Sequence, residues 1–589
     1  MAVKLHFSPR PNRAAEIRWR QWSPEAFEQA QREAKPVLLA ISAVWCHWCH
    51  VMDETSYSDP GVIELINDRF VPIRVDNDQR PDINARYNLG GWPTTAILTS
   101  EGEILRGGTY LPPEAMRPFL QQVSDLYGDP ANRLEFAKRI AEMKAKRADR
   151  AIAEGGALDP KTALNLKDEF SQAFDDDYGG FGTEPKFPHI DALHFLLDLW
   201  SRTPDGRAQT MVQMSLHAMA GRGMYDHVEG GFFRYSTTRD FSVPHFEKML
   251  EDLGGLMLAC ARASALFGDS ALGRVAVDVK RYLDEHLWSG ERRGYGGSQD
   301  ADEDYYGLDK DGRAKATAPY IDPTIYTSWN SEAARALILG GPLLAESGVD
   351  ANAWVARGLD ILDTLWEKLL VDGLMARYFD GEPHLRGLLA DQVWSAWAAL
   401  AAFSASGDVR WLARARELVD STDALFDSGT GAYLDRLASA EAGRLGEPNT
   451  PLQENALMSR VLLGLGAFLG EPRYSERGRS VLERFSRSYE SSGIFAAGYA
   501  AAVLDALEPP LEIKIVGPRD AGSTRALRDS ARLLGAPPLR INTIDPSERE
   551  RLASLDVTAS DETVAYACRQ NSCFARVTGP EELRRAVVR

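Results

Sequence analysis

Two cysteines three positions apart, Cys46 and Cys49, constrain this chain more than any other feature. An apolar run, Val37-Leu38-Leu39-Ala40-Ile41, precedes them and reads as a buried strand. A segment able to start a helix follows, so the order is strand, Cys-x-x-Cys, helix. That order sets Cys46 at a helix N-terminus, where the positive end of the helix dipole favours thiolate over thiol. A thiolate is the form that attacks a disulfide, which makes Cys46 the candidate nucleophile and Cys49 its resolving partner. His47 adds a cation beside Cys46 and lowers its pKa further, and Trp48 and His50 complete the motif.

The stretches around the motif agree. Phe70 to Asp76 reads as a second strand, Thr95 to Leu98 as a third and Ile104 to Arg106 as a fourth, with Gly91-Trp92-Pro93-Thr94 ahead of the third. The pattern resembles the thioredoxin fold, which places a cis-proline facing the disulfide. That resemblance implies a cis bond at Trp92-Pro93 and a supporting role for Pro93.

A closer resemblance rests on Cys46-His47-Trp48-Cys49-His50-Val51-Met52, Val75-Asp76, Arg80-Pro81-Asp82, Gly90-Gly91-Trp92-Pro93 and Gly107-Gly108-Thr109-Tyr110-Leu111-Pro112. These motifs resemble the spermatogenesis-associated, YyaL-like thioredoxin-domain family. The likeness continues in Gly180-Phe181-Gly182, Pro185 to His189, Gly230-Gly231-Phe232 and Pro244 to Leu250. It implies a thioredoxin-like domain fused to a six-hairpin (α/α)6 toroid of the kind found in N-acylglucosamine 2-epimerases. Two departures stand out. Ala40 occupies the strand position where thioredoxins carry a buried acid, and His47-Trp48 lies between the cysteines where thioredoxins have a proline second. Two other readings of the motif remain open: a zinc site that recruits Cys568 and Cys573, or an inert relic.

Length and charge bound the rest. The 589 residues suffice for two or three cores, and 44% hydrophobic with 26% charged residues is ordinary for a globular chain. A net charge of -18 argues against nucleic acid and anionic membrane as partners. No apolar run approaches the roughly 18 residues of a spanning helix, and Met1 to Arg20 lacks the apolar core of a secretory signal. Five cysteines do not make a disulfide scaffold, so the expected setting is cytoplasmic.

The expected organisation is α/β over 1–130, a connecting helix over 131–156, an all-α toroid over 157–508 and a small α/β region over 509–589. Apolar residues three and four apart predict helices near 160–174, 190–201, 206–222, 247–267, 270–288, 328–347, 350–369, 388–406, 409–426, 451–469, 471–489 and 494–507. Short and long connections alternate between them. Successive helices run antiparallel, so the long loops gather at one end, where function is expected. A glycine-aromatic signature opens most of these loops: Tyr178 to Phe181, Gly230 to Phe233, Gly294 to Gly297 and Gly431 to Tyr433.

The candidate toroid residues are Asp226, His227, Arg234, His245, Glu247, Asp300, Asp302, Trp329, Asp391 and Glu454. Aromatic rings, carboxylates and amides in a concave end suit a carbohydrate. Asp226 or Glu247 opposite Asp300 or Asp302 fits glycoside hydrolysis. His227 and His245 fit the proton transfers of an epimerase. The competing reading has these residues turning and bracing loops. Tyr305 stands where a calcium loop needs glycine, and neither a metal nor a cofactor is expected. In the last region, Cys568 and Cys573 are expected to be free thiols. The function expected is thiol/disulfide exchange with a protein partner, joined to a carbohydrate-binding toroid. The alternatives are a sugar isomerase or hydrolase with a structural N-terminal domain, and a non-catalytic scaffold.

Overall fold

The computed structural model describes residues 5–150, 155–426, 429, 431–437, 441, 443–534, 539–560, 562–569 and 572–587. The chain divides into two compact units. One is Met1–Ala153 with the short segments Asp300–Asp302 and Arg436–Asn449; the other is the remainder.

In the first unit, Val37–Ser42 is an inner strand of a four-stranded sheet. It pairs parallel with Val71–Asp76 and antiparallel with Thr94–Leu98, which carries Ile104–Gly108 at its far edge. Val37, Leu39 and Ile41 enter one buried cluster and Leu38 and Ala40 another. A strand covered on both faces must be apolar throughout, which explains the unbroken run. The helix His47–Glu54 leaves this strand, and Trp92-Pro93 is cis. The thioredoxin-like resemblance therefore holds for the fold.

In the second unit, six helices form an inner ring. Ile190–Arg202 packs on Leu250–Phe267, then in turn come Thr327–Leu343, Leu389–Ser406, Leu452–Leu469 and Ala497–Leu507, which returns to Ile190–Arg202. An outer helix backs each one: Thr162–Ala173, Gly206–Gly221, Ser270–Tyr282, Ala351–Lys368, Val409–Phe426 and Pro472–Phe485. This is an (α/α)6 toroid, and its twelve helices match the expected segments with ends moved by a few residues. Small residues let the inner ring close tightly. A Cβ on Gly254 would lie 3.2 Å from the Ala333 Cα.

Three local expectations are corrected. The helix expected from 247 starts at Leu250, because Pro244–His245 and Lys248–Met249 pair as short strands with Tyr235–Ser236 and Ser298–Gln299. The C-terminal sheet has one more strand than expected, Ser572–Val577, and one more helix, Arg549–Ser554. Its hairpin sets Cys568 opposite Cys573, and the two form a disulfide with Cα atoms 3.8 Å apart instead of free thiols.

The C-terminal sheet also repeats the N-terminal one. Leu511–Val516 pairs parallel with Leu539–Ile544 and antiparallel with Val564–Arg569, followed by Ser572–Val577. Helices follow the first, second and fourth strands. After its first strand this sheet carries Gly517-Pro518-Arg519-Asp520 and no cysteine.

Candidate functional sites

At the first site Cys46 occupies the N-cap of His47–Glu54. Its Sγ accepts the Cys49 backbone N–H at 3.2 Å, and the two cysteines form a disulfide. This is the dipole-facing position the sequence implies. Both cysteines are nearly covered, with Cys46 4% exposed, whereas Trp48 is 44% exposed and packs against Tyr110 with ring centroids 5.1 Å apart. His47 lies edge-on to Trp48. Trp45 donates its indole N–H to Asp78 at 2.7 Å and packs edge-on against Trp92, the residue before Pro93.

Ala40 leaves no acid on the strand, but a buried carboxylate reaches the same layer from the helix. Asp53 is fully buried and takes two N–H bonds from Arg74, at 2.7 and 2.9 Å. His50 is also buried. Its Nδ1 lies 3.5 Å from Asp300, which belongs to this first unit. Burial first, then the positive neighbours His6, Arg74 and His47, lower the His50 pKa to about 3. His50 is therefore neutral near pH 7 and a weak proton acceptor. Among the described residues, no group of three or more His, Cys, Asp or Glu side chains is arranged to hold a metal ion.

The second site is the recess at the long-loop end of the toroid. Every inner helix begins there, and several carry an acid in the first two turns: Asp191, Glu251 with Asp252, Glu332, Asp391 and Glu454. Helix N-termini favour negative charge, but burial and mutual repulsion oppose it. Burial, then Glu251, raise Asp252 to about 7, opposed by Arg234. Burial, then Asp191 and Glu251, push Glu332 well up. Glu454 and Asp191 are raised mainly by burial. Sequence reasoning missed Asp191, Glu251, Asp252 and Glu332. The signal was an acid in the opening turns of successive inner helices.

Of the expected toroid residues, His245, Glu247 and Arg234 meet at this recess. His245 Nδ1 is 3.4 Å from Glu247, and the His245 ring stacks on Tyr235, which in turn stacks on Phe187. Glu247 is buried, and its Oε2 has no hydrogen-bond partner. Phe187 and Phe495 expose 39% and 61% of their surfaces as stacking edges.

Glu454 is one of the recess acids described above, and the remaining residues serve elsewhere. Asp226 is caged by Lys248 at 2.7 Å and Arg313 at 2.6 Å, and His227 lies exposed on the same loop. Trp329 packs on Tyr326. Asp391 is fully buried, accepts the Ser328 N–H at 3.0 Å and faces Arg377; burial raises it to about 6. Asp300 and Asp302 belong to the first unit.

Below the recess a cavity of about 240 Å³ runs down the ring, and Leu539, Arg540 and Ile541 of the C-terminal sheet close it. Trp394 and Trp397 lie on its wall with ring centroids 5.4 Å apart.

Residues 10–145 match the family described as Thioredox_DsbH, protein of unknown function, DUF255. The chain is similar to Spermatogenesis-associated protein 20 of Homo sapiens, 26% identical over 97% of this chain and 89% of that one. The Rattus norvegicus protein of the same name is 34% identical over 49% of this chain and 39% of its own. Among solved structures, D-mannose isomerase aligns with a TM-score of 0.46 at 12% identity, covering 59% of this chain and 96% of that one. Cellobiose 2-epimerase of Bacillus thermoamylovorans aligns with a TM-score of 0.45 at 9% identity, covering 56% and 87%. The resemblance to the spermatogenesis-associated proteins thus runs along nearly the whole chain.

Proposed function

We propose that this chain performs thiol–disulfide exchange at Cys46 and Cys49 and binds a carbohydrate in its toroid. One observation carries the first half: Cys46 caps a helix and its sulfur receives the Cys49 N–H at 3.2 Å. A negative sulfur is stabilised there by both the dipole and the hydrogen bond. In the reduced protein the Cys46 thiolate attacks a partner disulfide, forming a mixed disulfide and releasing one partner thiolate. Cys49 then attacks Cys46, releasing the second. The partner gains two electrons, and Cys46–Cys49 becomes the disulfide until a dithiol reduces it. Protein disulfides reach a sulfur this covered only on an extended segment.

The carbohydrate half rests on the recess. Exposed aromatic edges offer faces for sugar rings, and acids beside His245 offer partners for hydroxyls. A carboxyl raised to about 7, Asp252, with Glu247 near enough to add to that rise, suits general acid–base chemistry and supports the hydrolase or isomerase alternative.

Equilibration across thiol/disulfide buffers, with alkylation and mass counting, tests the redox half. A two-thiol transition within the range of cellular redox proteins is expected. Thiols that stay reduced throughout would sink it. A saccharide panel read by calorimetry, with His245→Ala as control, tests the other half.

A further inference from the structure

The deep part of the toroid cavity carries more positive charge than its carboxylates neutralise. Two acids face it, and both are spent. Asp198 receives Arg262 at 2.5 Å and Arg460 at 2.9 Å. Asp505 receives Arg460 at 2.8 Å and also pairs with Arg202. Three further guanidiniums line the same cavity: Arg532, which pairs with Asp529 at 3.1 Å, Arg335 on the wall, and Arg540 on the C-terminal sheet. Among the described residues Arg335 and Arg540 form no ion pair. Arg335 lies flat on Trp397, its guanidinium carbon 3.5 Å from the ring centroid.

The other acids of the cavity, Asp191 and Glu332, lie toward its upper end. Burial raises Asp191 against Arg460, and burial and then Asp191 raise Glu332 against Arg335. His194 points Nε2 at the Gly255 carbonyl at 3.1 Å and Nδ1 at Arg262 at 3.2 Å. Nδ1 accepts from the guanidinium, so Nε2 carries the only ring proton and the imidazole is neutral.

We infer that this deep end is an anion subsite, in which Arg335, aided by Arg540, holds a carboxylate or phosphate borne by the saccharide. A guanidinium stacked on an aromatic face keeps its in-plane N–H fork free, and that fork matches both anions. An unpaired cation held away from bulk water is unfavourable, and an anionic ligand offsets that cost. The cavity of about 240 Å³ lies just below the roughly 300–1,000 Å³ of drug-sized sites, so its deep end takes a group of about monosaccharide size. Trp394 and Trp397 provide its apolar wall. Burial and the neighbouring Arg460 and Arg262 lower Arg335 to about 9, which leaves it charged near neutral pH.

This inference rests on the carbohydrate reading, and the test separates the two. Calorimetry on the full chain in low-chloride buffer would compare glucose, glucuronate, glucose 6-phosphate and inorganic phosphate, with R335Q and R335K as variants. Binding of glucuronate or glucose 6-phosphate about tenfold or more tighter than glucose is expected, in line with one charge-assisted contact. Whichever of the two binds identifies the anion as carboxylate or phosphate. R335Q should erase the preference, and R335K, which keeps the charge without the fork, should weaken it. Should R335Q not fold, R335K alone decides. Glucose binding as tightly as its anionic relatives, unchanged in the variants, would overturn the anion subsite and leave the carbohydrate reading standing. Phosphate binding lost in the variants, with no sugar bound, would keep the subsite and overturn the carbohydrate reading. No binding by any probe would overturn both.

Discussion

Lys248 donates to Asp226 at 2.7 Å with both side chains buried, and the same lysine donates to the Gly230 carbonyl at 2.8 Å. Lys186 repeats this upstream, donating to Asp175 and to the Gly179 carbonyl at 2.6 Å each. In both loops the acid starts a turn closed by Gly-Gly-Phe. The Asp226 N–H donates to the Gly231 carbonyl and the Asp175 N–H to the Gly180 carbonyl, each at 3.0 Å. Positive φ at Gly179, Gly180, Gly230 and Gly231 accounts for the paired glycines. The bracing reading of these signatures is therefore well supported for Asp226.

Removing one partner of such a pair strands a buried charge. Lys248→Ala is expected to cost about 3–5 kcal/mol, while the double change Lys248→Met with Asp226→Leu costs less. Urea unfolding of the two variants checks the order. Acid gives a second readout. Against burial, which pushes it up, Arg313 and Lys248 hold Asp226 at about 2. A carboxyl depressed below its unfolded value stabilises above roughly pH 4 and loses that contribution as pH falls toward 2. Asp226→Asn is expected to be less stable at pH 7 and to lose less between pH 4 and 2. Parallel curves would show that the cage does not depend on the charge.

Cys46 sits on the helix dipole, whereas Cys49 lies within the first turn, 2% exposed. In the reduced protein Cys46 is expected to alkylate at least about tenfold faster than Cys49 at pH 7, with a midpoint below the ordinary thiol near 8.5. Timed iodoacetamide labelling with peptide mass analysis measures both rates. Equal rates, or a faster Cys49, would reverse the nucleophile assignment.

Three amides in the opening turns of inner helices hold the loops that precede them. Asn330 accepts the Tyr295 N–H at 2.8 Å and donates to its carbonyl at 3.0 Å. Gln392 does the same for Met375 at 2.7 and 3.0 Å, and Asn455 for Tyr433 at 2.7 and 2.9 Å. All three side chains are buried. Asn455→Ala leaves a buried N–H and C=O unpaired and is expected to cost about 1–3 kcal/mol or somewhat more. Thermal unfolding checks it, and a loss below half a kcal/mol would mean that water replaces the amide.

Local patterns were legible in the sequence. The apolar run, the cysteine spacing and the three-four periodicity each report on a single element, and those elements are present. Pairings across the fold were not legible. Asp226 and Glu247 look alike as loop acids, and only the folded chain tells which has a lysine opposite. The extra strand Ser572–Val577 was missed because none of its six residues is buried, so no alternating apolar pattern marks it. The recess acids were passed over because a first-turn acid is common in any helix. Their meaning comes from six N-termini converging on one opening.

Asp252 is where that convergence is most open to measurement. Burial and Glu251 raise it, Arg234 opposes and Glu247 adds to the rise, and the result is about 7. A carboxyl raised above its unfolded value keeps a proton in the folded state that the unfolded chain has already released. Between roughly pH 4 and 7 the folded state binds more protons, so its stability falls as pH rises through that window. Asp252→Asn cannot ionise and escapes the loss. The variant is expected to gain on the parent steadily from pH 5 to about 7 in thermal unfolding, with the gap levelling off above that. A gap that does not change with pH would mean that Asp252 is ionised throughout, and the protonated acid of the proposed acid–base pair would then have to be sought at Glu332.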